Sequence, residues 1–222
     1  MSEQMSKTDL IDSLSQDLKP VRSIDPSRLW IGAAIGVCLA AVNIYFAYGA
    51  RLDIILWLHG HFPRIAMVWG KPLIFLAIAA GALWSVADLS RPQGRLRSRT
   101  LLPLLACAGL LFGGLMSDLQ VHGMPYTMQR LRDPMILCMT TIFFGGMAGL
   151  LILWRLWLRR TATSHPVSLG AMSGLATASL MAAAYAVHCD RDAPVYIMVV
   201  YGMSVGVTTV AAALLGRRFL RW

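Results

Sequence analysis

The sequence predicts an all-α membrane protein of six transmembrane helices, with both termini on one side and a short amphipathic helix ahead of the first span. Three observations predict it. Apolar residues make up 57% of the 222 and fall into long blocks, a pattern that a soluble domain with a single core does not show. Six blocks, at about 29–50, 65–88, 101–119, 135–155, 170–188 and 195–216, meet or approach the roughly 20 residues that a helix needs to cross a bilayer. The Lys and Arg residues divide unevenly between alternate connections, as topology requires.

Taken in order, the first span follows a polar stretch with five acidic side chains. It is longer than the roughly 7–15-residue apolar core of a signal peptide, so no cleaved signal is expected. Lys7, Lys19, Arg22 and Arg28 precede it. Arg91, Arg95, Arg97 and Arg99 join spans 2 and 3; Arg155, Arg159 and Arg160 join spans 4 and 5; Arg217, Arg218 and Arg221 follow span 6. The opposite side carries Arg51, Arg64, Arg130, Arg132 and Arg191. The richer side faces the cytoplasm, which puts both termini there. Trp30, Trp84, Trp154, Trp157 and Trp222 then fall near the inner interface and Trp57 near the outer one. A formal charge of +9 could suggest nucleic acid. Most of the basic residues flank spans, however, so the bilayer is the expected partner and no direct nucleic-acid contact is expected.

Gly-x-x-x-Gly spacings occur in five blocks: Gly32/Gly36, Gly109/Gly113, Gly145/Gly149, Gly170/Gly174 and Gly202/Gly206. Small residues one turn apart let helix backbones approach closely. Packing inside one bundle is the expected use, and span 5, whose stripe continues through Ala178 and Ala182, is placed in the interior. Oligomeric state is left open. Two ionisable residues lie within or at the edge of spans, Lys71 and Asp118. They are expected to form an ion pair. The alternative is a small transporter or channel using them, although transporters more often show helices broken in matched halves.

Cys38 and Cys107 lie among Leu, Ala and Val, where a thiol behaves as a small hydrophobe. Cys138 follows Asp133-Pro134 at the start of the inward-running span 4, and Cys189 ends the outward-running span 5. Both therefore belong to the outer layer. A functional pair and two unrelated residues are both open readings, and so are a disulfide and a soft-metal site. His188 adjoins Cys189 as an accessory candidate, with His59, His61 and His122 on the same side. The chain has no Cys-x-x-Cys, which weighs against a dedicated thiol oxidoreductase. No resident cofactor is expected; transient capture of a heavy metal at Cys138 and Cys189 is left open.

Residues 6 to 21, "SKTDLIDSLSQDLKPV", form the one soluble element of substance. Ser6 with Asp9 suits an N-cap with an acidic N3 residue, Leu10, Ile11, Leu14 and Leu18 share one face, and Pro20 stops the helix. Helices that lie on membranes favour Lys and Arg on the polar face. This one carries Asp9 and Asp12 there, which fits docking into a groove on a basic protein.

Together "TDLIDSLSQDLKPVR", "WGKPL", "MILCMTT", "HCDRDAPVYIMVVYG" and "LLGRRFLRW" resemble the NrsF family of polytopic anti-sigma factors, in order and over the whole length. The resemblance implies a bacterial inner-membrane protein, not an enzyme, that holds an extracytoplasmic-function (ECF) sigma factor on its cytoplasmic N-terminus and releases it under oxidative or heavy-metal stress. It implies that Cys138 and Cys189 are the sensor cysteines. Docking residues would be Asp9, Leu10, Ile11, Leu14, Asp17, Pro20 and Val21, with Leu18 completing the apolar stripe. Residues 1–28 are then the sigma-binding tail and 29–222 the sensor domain. After the second cysteine "DRDAP" stands where the family carries a more acidic run, and Arg191 lowers the local negative charge.

Overall fold

The computed structural model describes residues 26–60, 65–129, 131 and 135–220, and among them every regular element is helical. Helix α1 (Ser27–Tyr48) ends at Gly49, whose φ of 81° lies in the left-handed region that favours glycine. A seven-residue helix, α2 (Leu52–Leu58), follows, then α3 (Ile65–Leu89). Helix α4 (Ser98–Gln129) breaks at Gly123, at φ 76°, so its long apolar part ends by His122 and a short second piece carries Pro125. Helix α5 (Met135–Leu156) runs into a 3₁₀ turn at Leu158–Arg160. Helix α6 (Pro166–Tyr185) starts with a proline in its first turn, where the missing N–H costs nothing. That start is four residues earlier than the hydropathy of block 5 indicates. The last helix, α7 (Pro194–Phe219), contains a π turn over Ile197–Tyr201.

Six helices are long and apolar enough to cross a membrane, the number the sequence predicts: Ser27–Tyr48, Trp69–Leu89, Thr100–Gln129, Met135–Arg160, Pro166–Tyr185 and Pro194–Phe219. The chain is thus built as a multi-pass membrane protein.

Helix α6 is the axis of the bundle, packing chiefly on α7 and α3 and then on α5. Its composition explains the position. A Cβ at Gly170 would run into the Ala212 carbonyl, one at Gly174 into the Ala212 methyl, and one at Gly146 of α5 would come within 3.0 Å of the Ala178 Cα. Backbones this close pack without side chains between them, the arrangement membrane helices use in the absence of a hydrophobic drive. Gly145/Gly149 and Gly170/Gly174 therefore pack inside the bundle, as expected. A Cβ at Gly32, Gly36, Gly109, Gly113, Gly202 or Gly206 meets nothing within 4 Å, so those three spacings face outward and interior packing does not account for them.

Helices α1 and α4 are peripheral. In α1 the buried residues are Leu29 and Ile44, one near each end. They belong to two separate buried clusters. Leu29 joins Leu83, Val86, Leu89, Trp157, Leu158, Leu169 and Leu220 at what we call the tryptophan end. Ile44 joins Phe75, Cys138, Tyr185, Cys189, Tyr196 and Tyr201 at the cysteine end. The N-terminal end of α1 thus lies at the tryptophan end. The sequence-predicted tail helix, with Asp9, Leu10, Ile11, Leu14, Asp17, Leu18, Pro20 and Val21, lies outside the described residues.

Candidate functional site

The loop from 186 to 193 joins α6 to α7 at the cysteine end and is held by two buried cations. Arg51, between α1 and α2, donates to both carboxylate oxygens of Asp192 at 3.1 and 2.6 Å and to Asp53 at 2.7 Å. Lys71, the third residue of the membrane-crossing part of α3, lies 3.1 Å from Asp192 and donates to the carbonyls of Cys189 and Arg191, each at 2.9 Å. Both cationic side chains are only 2% exposed. A charge so deeply buried persists only when paired and hydrogen-bonded, and Asp192 serves both. For Arg51 burial works against the charge, but the hydrogen bonds and charges of Asp192 and Asp53 outweigh it and hold its pKa above the usual value. The backbone adds two ties to α1: Arg51 N–H donates to Val187 O at 3.1 Å, and His188 Nδ1 lies 3.1 Å from Gly49 O.

Beneath the ion cluster sit two free thiols. Cys138 of α5 and Cys189 of the loop are within hydrogen-bonding reach of one another and each is more than nine-tenths buried. Three tyrosines surround them. Tyr196 donates to Cys138 Sγ at 3.1 Å, and the Tyr185 hydroxyl lies 3.3 Å from the same sulfur. The Tyr201 ring stacks on Phe75 and lies 5.2 Å from Lys71 Nζ, a cation–π distance. Its buried hydroxyl faces the Cys189 sulfur without a well-formed hydrogen bond. The π turn makes this grouping: residues five apart point about 140° from one another on an α-helix, whereas i→i+5 closure brings Tyr196 and Tyr201 to one side.

The two thiols sit in unequal settings. Cys189, in the loop, is held down to about 5 by its hydrogen bond with Cys138, against the opposing effect of burial and with help from the Lys71 charge. Of the two thiols, Cys189 is thus the one whose setting favours the thiolate. Such a pair can attack an electrophilic sulfur or oxygen and close a disulfide.

The structure brings together Cys138 and Cys189, the two thiols that topology separates from Cys38 and Cys107. Cys38 is exposed on α1 and Cys107 is buried on α4. The expected pair of Lys71 with Asp118 is not formed. Lys71 points to the loop and takes Asp192, while Asp118, on peripheral α4, pairs with His122 one turn on at 3.0 Å. The transporter reading loses its pair accordingly. His188 faces Gly49 and the Tyr48 ring at the loop's rim. Among the described residues no group of three or more His, Cys, Asp or Glu comes together as a metal site.

Sequence reasoning missed Arg51, Asp192 and the three tyrosines. A signal was present for some of them. Tyr185 stands one helical turn before Cys189, and Asp192 is an acidic residue in the loop that follows the cysteine.

Over residues 14–222 the chain matches the family model of NrsF, described as negative regulator of sigma F. It belongs to the NrsF family. No curated protein and no solved structure matches the chain. NrsF proteins form, by that description, a family of regulators, and the description makes a sigma factor the partner.

Proposed function

We propose that this NrsF-family protein is an anti-sigma factor of the bacterial inner membrane, with both termini cytoplasmic. Its tail (residues 1–28) holds an ECF sigma factor away from RNA polymerase, and its six-helix sensor domain (29–222) releases that factor when Cys138 and Cys189 are oxidised. One observation carries the reading: the thiol of a helix, Cys138, meets the thiol of a loop, Cys189, and that loop is bonded to the far end of the helix bearing the tail. The sigma factor is held by Leu10, Ile11, Leu14 and Leu18 in an apolar groove, with Asp9, Asp17, Pro20 and Val21 at its margin.

The relay runs along α1. This helix is about 33 Å long, is buried near its two ends through Leu29 and Ile44, and meets the sensor loop through Gly49 and Arg51. A disulfide between Cys138 and Cys189 repositions the loop relative to α5, and the Arg51 and His188 ties pass that shift to α1. Moving a two-state balance from 1:99 to 99:1 takes about 5.5 kcal/mol, a size that a covalent bond supplies and a single polar contact does not.

The test is co-purification of the membrane-embedded full chain with its sigma factor. Wild type is expected to retain the factor and to lose it on hydroperoxide treatment; Leu14→Asp to lose it under all conditions; and the Cys138→Ser/Cys189→Ser double variant to keep it under hydroperoxide. Retention by Leu14→Asp, or peroxide release from the double variant, would sink the reading.

A further inference from the structure

The geometry points to an ordered division of labour within the thiol pair: Cys189 is the attacking thiol, Cys138 the resolving thiol, and Lys71 the residue that positions Cys189 for attack. The inference rests on the reading of this pair as a redox sensor and gives each member a role.

The two sulfurs sit in different frames. Cys138 is one turn inside α5 and its sulfur is occupied by the hydroxyls of Tyr185 and Tyr196, at 3.3 and 3.1 Å. Cys189 belongs to a loop, and that loop is wrapped round the Lys71 ammonium, which binds the carbonyls of Cys189 and Arg191 and the Asp192 carboxylate. A buried ammonium with three oxygen partners is fully used, so its place is fixed. Its charge then acts on the sulfur attached to the backbone it grips. The charged and titratable groups around Cys189 are Cys138 from α5, Tyr185 from α6, Tyr196 and Tyr201 from α7, Lys71 from α3, and His188, Asp190 and Arg191 beside it in the loop. Arg51, held by Asp53, shares Asp192 with Lys71. Of the cations, Lys71 acts on Cys189 most directly, which agrees with the lowered pKa of that thiol.

The co-reactant is a small hydroperoxide. The Cys189 thiolate attacks the outer peroxide oxygen; an S–O bond forms, the O–O bond breaks, sulfur is oxidised by two electrons, and the departing alkoxide or hydroxide takes a proton from solvent. The Cys138 sulfur then attacks the sulfenic acid; the S–S bond forms, the S–O bond breaks, and the hydroxyl leaves as water with the Cys138 proton. The balance is two thiols and one hydroperoxide to one disulfide, one alcohol or water, and one water.

The full chain in lipid nanodiscs tests this with hydrogen peroxide and a sulfenic-acid trapping reagent, followed by peptide mass spectrometry. Cys138→Ser is expected to accumulate trapped sulfenic acid at Cys189, whereas Cys189→Ser gives none at Cys138. Iodoacetamide labelling of Cys189 in the Cys138→Ser background supplies the pH profile. Lys71→Met should move its midpoint upward and slow labelling at pH 7 by about tenfold, and Lys71→Arg should restore it, because thiolate fraction governs the rate. Trapped sulfenic acid at Cys138 in the Cys189→Ser chain overturns the order of attack. An unchanged profile in Lys71→Met overturns the role of Lys71. If Lys71→Met does not fold, the location of the trapped sulfenic acid still decides between the thiols. Ordered disulfide formation with no change in sigma-factor retention leaves these roles standing and sinks the sensor reading instead.

Discussion

The two ends of the bundle are built largely from the same helices, yet they bury charge in opposite ways. At the tryptophan end Arg91, Arg95, Arg97, Arg155, Arg159, Arg160, Arg217 and Arg218 are all exposed, over a cluster whose interior is Leu, Val, Ala and Trp. Its polar link is Trp157 Nε1–H donating to Ser90 Oγ at 2.8 Å. At the cysteine end Arg51 and Lys71 are inside, over a cluster that contains two thiols and three tyrosines. An exposed arginine demands nothing of its neighbours, whereas a buried cation must be met by an anion and by oriented dipoles. The cysteine end is therefore a place where one loop has one arrangement, and where chemistry on a loop atom has structural consequences.

Substitutions can break or sharpen that contrast. The largest effect is expected from Gly174→Leu, which wedges a side chain against Ala212 and the Thr208 carbonyl at the α6–α7 seam shared by both ends. A loss above about 3 kcal/mol, seen as failure to recover folded protein from detergent, is expected, with both clusters lost together. Next is Asp192→Asn, which leaves Arg51 with Asp53 alone as a carboxylate partner and Lys71 with none. Thermal unfolding should show a loss of about 3–5 kcal/mol, the usual result of breaking a buried pair, together with altered labelling of Cys189. Unchanged stability and labelling would mean that the ion cluster does not hold the loop. The smallest effect is expected from Trp157→Phe. The Ser90 hydroxyl keeps its bond to Val86 O at 2.6 Å, so the loss should be about 1 kcal/mol, with Cys189 labelling unchanged. A change at Cys189 would show that the two clusters are coupled.

Much of the fold was legible. Block length and composition reveal spans because lipid requires them residue by residue, and the small stripe on α6 announced an interior helix because there the backbone itself is the packing surface. The pairing of Lys71 was not legible. Asp118 looked nearest along the chain, but the face of α3 that carries Lys71 turns to the α6–α7 loop, and Asp118 sits on a helix that barely enters the bundle. The three tyrosines were equally hidden, since Tyr196 and Tyr201 share a side through a π turn that hydropathy does not report.

By itself the sequence determined that this chain has six spans, that α6 lies inside, and that two of four cysteines belong to the same layer; each is a property of local composition and of the bilayer's thickness. The tertiary structure alone decided which groups meet. Contacts between Cys138 and Cys189, Lys71 and Asp192, or Arg51 and Val187 join residues far apart in the chain, and they depend on how helices rotate about their own axes. That rotation is set by the close approach of α6 to its neighbours, where a single methyl group on a glycine is enough to forbid it.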